Sequence, residues 1–283
     1  MCFDADFYLK TDWKSGFAPE NGRCKPAAAP EKGEPEMSIQ IGLQLYTIRD
    51  HAEKDPEASL RAVAEMGYKG VEFAGYYGYT PGELGALLTR FGLTAAGSHV
   101  GLELLEKDPA LQFEYAQALG LRTITLPWLA PELLLAPETF GKVEKIRLAA
   151  EAQGLKLAFH NHNREFDPAA GGAVKLDAFL SGAYGVELEL DTYWAAEAGA
   201  DPFAWMNQCA GRLSAIHIKD MYEDPARRGR NANIGEGCLD IAGYLKTADS
   251  LGVEWAFVEM DAADGDSLEC AAASRKNLKK MGY

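Results

Sequence analysis

Four short apolar runs in this chain end in residue types that bind metal ions. They are Leu157-Ala-Phe-His160-Asn-His162, Val186-Glu-Leu-Glu-Leu-Asp191, Leu213-Ser-Ala-Ile-His217 and Trp255-Ala-Phe-Val-Glu259. Each reads as a buried strand, and strands ending in His, Asp, His and Glu can build one metal site from distant segments. Two further runs end at Glu72 and His99, and Lys219 lies two residues beyond His217, on the same strand face. His160 and His162 also share a face. A lone strand-end histidine is ordinarily a hydrogen-bonded core residue. Here four of the five histidines fall on strand ends, His51 being the exception, and their convergence with acids reverses that expectation. Mixed imidazole and carboxylate ligation suits a divalent ion, Mn²⁺ first, with Co²⁺, Fe²⁺, Zn²⁺ or Mg²⁺ as alternatives. With no cysteine near these strand ends, a structural zinc site is not expected.

The elements that must position these residues repeat along the chain. Strands are expected at Ile41–Tyr46, Gly70–Ala74, Thr94–His99, Arg122–Pro127 and in the four runs above. Between them lie helical patterns at Ala58–Met66, Leu84–Phe91, Leu111–Leu119, Val143–Gln153, Leu176–Leu180, Phe203–Cys209 and Ile241–Leu251, with Leu268–Met281 last. Several stop at a glycine, as Gly67, Gly92, Gly120, Gly154 and Gly252 do, because a left-handed residue ends a helix cheaply. Eight strands alternating with helices imply parallel pairing and a closed (β/α)8 TIM barrel. A doubly wound sheet is the rival, but no G-x-G-x-x-G follows any strand. The barrel is read over residues 38–283. Residues 1–37, with Pro-Ala-Ala-Ala-Pro and Glu-Lys-Gly-Glu-Pro-Glu, read as an N-terminal extension.

Composition narrows the partners. The 283 residues are 47% apolar and 25% charged, with 42 acidic against 28 basic side chains and a net charge of −14. That balance opposes a nucleic-acid partner, which needs Lys and Arg to replace counterions. No apolar run is long enough to cross a membrane, and the N-terminus lacks the basic start and apolar core of a secretory signal, so a cytoplasmic location is expected. Five scattered cysteines without a C-x-x-C pair read as separate thiols. The one basic cluster, Arg227-Arg228-Gly-Arg230, reads as a solvated loop rather than an anion site. Aromatic residues in the extension offer a means of joining a homo-oligomer, although the oligomeric state itself is not legible.

From about Ile39 onward the chain resembles the xylose isomerase-like superfamily, which includes sugar and sugar-phosphate isomerases and epimerases, inosose dehydratase and AP endonuclease family 2. The ordered segments Phe159-His-Asn-His162, Leu190-Asp-Thr-Tyr-Trp194, His217-Ile-Lys-Asp220 and Val258-Glu-Met-Asp261 carry the resemblance. It implies metal ligands at His160, Asp191, His217 and Glu259. Many epimerases of the superfamily place Glu where His160 stands, as ligand and one of two opposed bases. Imidazole there disfavours two-base epimerisation unless His162, Glu165 or Glu72 supplies the second base.

The chemistry implied is proton abstraction beside a carbonyl, with the ion stabilising an enediolate. Glu259 is the expected base, with His162 and Glu72 as further proton carriers and Lys219 stabilising the oxyanion or simply pairing with an acid. His99, Glu165 and the aromatic residues Tyr46, Trp128 and Trp194 are candidates for holding a small sugar, and unphosphorylated sugar is favoured because no Gly-rich helix start follows the last strands. A sugar isomerase or epimerase is the leading expectation. A dehydratase or lyase acting on a keto-sugar or 3-keto-glycoside is the alternative, followed by a DNA-repair enzyme or a non-catalytic sugar binder. The long connection from Met221 to Cys238 is a candidate lid.

Overall fold

The computed structural model describes residues 39–283 except Arg228. The reading of residues 1–37 as an extension, and of Arg228 within the basic cluster, lies outside the described residues. Eight strands form one parallel sheet: β1 (Gln40–Gln44), β2 (Gly70–Phe73), β3 (Thr94–Ser98), β4 (Thr123–Leu126), β5 (Lys156–His160), β6 (Glu187–Asp191), β7 (Leu213–Ile218) and β8 (Trp255–Val258). Their order is β3-β2-β1-β8-β7-β6-β5-β4. A single bridge between His99 and Thr125 joins the two ends and closes the barrel.

Helices occupy the expected intervals, but they begin earlier than apolar periodicity indicates. The helices Pro56–Met66, Pro81–Phe91, Pro109–Leu119 and Pro202–Gln208 each open on a proline preceded by Asp55, Thr80, Asp108 or Asp201, whose side chain accepts a backbone N–H of the first turn. Proline tolerates that position because its missing N–H has no intrahelical partner there. The glycine stops hold: Gly67, Gly92 and Gly120 end their helices with φ of 92°, 67° and 72°. No helix among the described residues is long and apolar enough to cross a membrane.

Strand alternation divides the core. Outward residues such as Leu43, Val71, Ile124, Phe159, Leu190, Ile216 and Val258 are buried against the helices. Inward residues fill the barrel itself, and its lower part is apolar, built from Ala215, Trp255 and Phe257 with Ala96 packed against them. Gly42 and Gly70 make room for those rings. A Cβ on Gly42 would stand 2.7 Å from the Phe257 ring, and one on Gly70 would stand 2.8 Å from the Trp255 ring. One strand step higher the inward positions turn polar, and the change falls at the carboxyl ends of the strands.

Candidate metal centre

The upper inward positions of β1, β2, β5, β6 and β7 are Gln44, Glu72, His160, Glu189 with Asp191, and His217, all buried. His99, Lys219 and Glu259 follow directly after β3, β7 and β8. The parallel register sets Asp191 beside His217, and the Phe257 ring lies edge-on beneath His217 at 5.5 Å. Ligand atoms of His160, Asp191, His217 and Glu259 all lie within 4.8 Å of one another. Donors at about 2.0–2.2 Å from a shared ion stand within roughly 4.3 Å of each other, so small side-chain adjustments suffice. Within the group, His160 turns Nε2 toward Asp191 Oδ2 at 3.6 Å, and that oxygen also faces Lys219 Nζ at 3.0 Å. Two buried carboxylates beside two imidazoles are costly to gather without compensating charge, and a cation among them fits that chemistry. The donor set can therefore hold a divalent ion.

Electrostatics in the cluster follow from burial set against neighbours. Burial, followed by the nearby His217, presses the His160 imidazole down to about 3, so it is neutral and able to ligate. Burial raises Asp191 to about 6, with Lys219 pulling the other way. For Glu259, burial opposes ionisation, but Lys219 and His217 outweigh it and hold the carboxyl well below its ordinary range. Burial likewise opposes a charge on His217, yet Glu189, Glu259 and Glu72 together lift it well above the usual imidazole value.

Lys219 is fully buried, with Nζ at 2.7 Å from Asp261, 2.9 Å from Glu259 and 3.0 Å from Asp191. Its three donors thus face three carboxylates. Of the two roles open for it, pairing with acids is the one the geometry displays. Glu72 lies beneath the centre, where its Oε2 faces His217 Nε2 at 2.7 Å and accepts from Gln44 Nε2 at 2.9 Å. His99 stands beside it, 2.6 Å from Glu189.

Other expected positions divide. His162 is half-buried, its ring 5.1 Å from that of His160 and 5.8 Å from Trp194. Trp194 donates its backbone N–H to Asp191, while its indole N–H is buried without a partner and would suit a substrate oxygen. Tyr46 is half-buried near Asp261, Glu259 and Lys219. Glu165 is not brought into the cluster: its carboxylate accepts the backbone N–H of His162 at 2.8 Å and so shapes the loop after β5. Trp128 is half-buried two residues past β4, and among the described residues no ring or polar contact joins it to the cluster.

The connection from Met221 to Cys238 is tied down more firmly than a lid would be. Asp220–Met221 pairs antiparallel with Asn231–Ala232, and the Asp220 carboxylate accepts backbone N–H groups of Gly235, Gly237 and Leu239. Arg227 and Arg230 both pair with Asp264. Their charge is thereby met by the segment after β8, which ties the connection to its neighbour.

Glu189 and Asp261 are members that strand-end reasoning passed over. Both sit two residues from an expected ligand, so the same alternation that joins His160 to His162 also marks them.

Fold and site together define a (β/α)8 barrel with an imidazole–carboxylate group at the mouth where such barrels place their chemistry. The chain belongs to the xylose isomerase-like TIM barrel family, which matches residues 60–281. It is 28% identical to an inosose dehydratase of Clostridium beijerinckii, over 50% of this chain and 53% of that protein. It is 25% identical to the rhizopine catabolism protein MocC of Rhizobium meliloti, over 87% of this chain and 89% of that one. A sugar phosphate isomerase/epimerase from Parabacteroides distasonis has the same fold, with a TM-score of 0.72 at 22% identity, over 85% of this chain and 98% of that chain.

Proposed function

We propose that this protein is a metal-dependent enzyme that removes a proton beside the carbonyl of a polyhydroxylated keto-sugar and then eliminates a β-hydroxyl as water. One observation carries the choice of outcome. The β5 side of the centre presents two imidazoles and no carboxylate, since Glu165 is engaged with the backbone of its own loop. Epimerisation needs proton carriers on both faces of the carbon. Elimination needs only one.

Glu259 is the base in this reading. It is the most exposed of the four grouped residues, at 5%, and the adjacent Lys219 ammonium keeps it ionised. A divalent cation held by His160, Asp191, His217 and Glu259, Mn²⁺ by the preference of such a donor set, supplies Lewis-acid polarisation of the carbonyl. Glu259 takes the proton from carbon, and the C–H electrons enter the enolate. The same carboxyl returns that proton to the β-hydroxyl as its C–O bond breaks, leaving water and an enone. Lys219 offsets the charge of Asp191, Glu259 and Asp261 throughout, and the Trp194 indole N–H and the Tyr46 ring are placed to hold the sugar. Likeness to an inosose dehydratase supports elimination over return of the proton to a neighbouring carbon.

Isomerisation or epimerisation is the second reading, favoured by His162. Burial, with His160 next to it, holds that imidazole well below its usual range, so it is neutral and can accept a proton on the β5 side. Incubating the Mn²⁺-loaded protein with an inosose and a 3-keto-glycoside in D₂O separates the two. Elimination gives an ultraviolet-absorbing enone, lost in Glu259→Gln by about 10³-fold, several kcal/mol of barrier. Deuterated isomers without enone establish the second reading instead, and no conversion of either class sinks both.

A further inference from the structure

Beneath the candidate centre the structure holds two carboxylates that the proposed reaction does not use. Glu72 and Glu189 reach the same point from β2 and β6, both buried. The rings of His99 and His217 are parallel, 4° apart in plane with centroids at 5.4 Å, and their Nε2 atoms converge on this pair. His217 Nε2 stands 2.7 Å from Glu72 Oε2 and 3.1 Å from Glu189 Oε1. His99 Nε2 stands 2.6 Å from Glu189 Oε1 and 3.3 Å from Glu72 Oε2. Both carboxylates are themselves anchored: Gln44 donates to Glu72 at 2.9 Å, and Thr125 donates to Glu189 at 3.1 Å. Gly97 gives Glu72 its room, because a Cβ there would collide with the carboxylate.

The opposite edge of His217 faces the upper group, with Nδ1 at 2.7 Å from Glu259 Oε2. A neutral imidazole donates from one nitrogen and offers a lone pair on the other, and the partner of the first decides the second. We infer that Glu72 and Glu189 are a positioning pair, which holds the Nε2–H of His217 and so turns its Nδ1 lone pair toward the cation. The inference rests on reading the four-residue group as a metal centre. It also decides between two uses of the lower cluster, since His99, His160, Glu189 and His217 have ligand atoms close enough to be a second ion site. With the Nε2 atoms of His99 and His217 occupied at Glu189 and Glu72, the lower cluster keeps only Glu189 and His160 Nδ1 as ligands against four above, and the chain binds one ion.

Zinc is the probe, because it is diamagnetic. Calorimetric titration of the wild-type chain is expected to give one zinc ion per chain, and Asp191→Ala to bind none. Long-range ¹H–¹⁵N spectra of the zinc-loaded protein are expected to show His217 protonated at Nε2 and metallated at Nδ1. The double variant Glu72→Gln, Glu189→Gln is expected to bind zinc 10–100-fold more weakly, as removal of such outer partners does. Metallation of His217 through Nε2, two ions per chain, or an unchanged affinity in the folded double variant overturns the inference while leaving the centre intact. A wild-type chain that binds no zinc overturns the centre and the inference together. The wild-type spectrum decides the matter alone if the variants do not fold.

Discussion

The lower and upper halves of the barrel interior are built on the same strands, two residues apart, and share almost no chemistry. Gly42, Gly70, Ala215 and Phe257 below become Gln44, Glu72, His217 and Glu259 above. Below, two glycines admit two stacked aromatic rings, Trp255 and Phe257, and nothing polar is needed. Above, most side chains are charged or ligating, and each must be matched by a neighbour. The contrast shows how one fold separates its duties. The floor supplies packing and keeps water from the charges, which strengthens every interaction over it.

Substitutions on the two levels should therefore fail in different ways. The largest effect is expected for Phe257→Ala, which removes the ring under His217 and leaves a cavity between the halves. A loss of about 3–5 kcal/mol is expected from denaturant unfolding. A loss below about 1 kcal/mol would mean that the floor does not carry the packing assigned to it.

Gly42→Ala tests the same floor by overfilling. Its Cβ would press the Phe257 ring from 2.7 Å, so about 1–3 kcal/mol should be lost. The backbone of Gly42 is not left-handed, and a stability equal to wild type would show that the ring yields freely.

The smallest effect is expected above, and it depends on pH. Burial and the adjacent Glu189 raise Glu72 to about 7 from its usual 4.5. The native state then binds a proton that the unfolded chain releases, so this group's contribution to stability is present below about pH 4.5 and falls as pH rises to about 7. In metal-free protein, Glu72→Gln should flatten the unfolding profile across that window. An unchanged slope would show that Glu72 ionises in the folded state as it does in the unfolded chain.

Much of this arrangement was legible in the chain. Strand ends at His160, Asp191, His217 and Glu259 announce themselves because each closes an apolar run, and Gly67, Gly92 and Gly120 mark where helices stop. Periodicity places helix starts late because it begins at the first buried residue, whereas the cap lies a turn earlier at Asp55 or Thr80. Glu189 was hidden by its position inside a strand, where a single acid looks like one more alternating residue. Glu165 misled for the opposite reason. It is a candidate for the second base, but a tight turn commits its carboxylate to the backbone N–H of His162. The connection after β7 looked free because the two short strands that pin it carry no apolar signal.

The barrel closes between β3 and β4 through one bridge, at His99 and Thr125. The side chains of both residues reach across the interior to Glu189 on β6. The seam is thus fastened from within, by the cluster itself, where a longer backbone ladder would otherwise serve. The contacts that complete the lower cluster are the same ones that span the seam. A substitution at His99 or Glu189 therefore loosens the hoop and the cluster together.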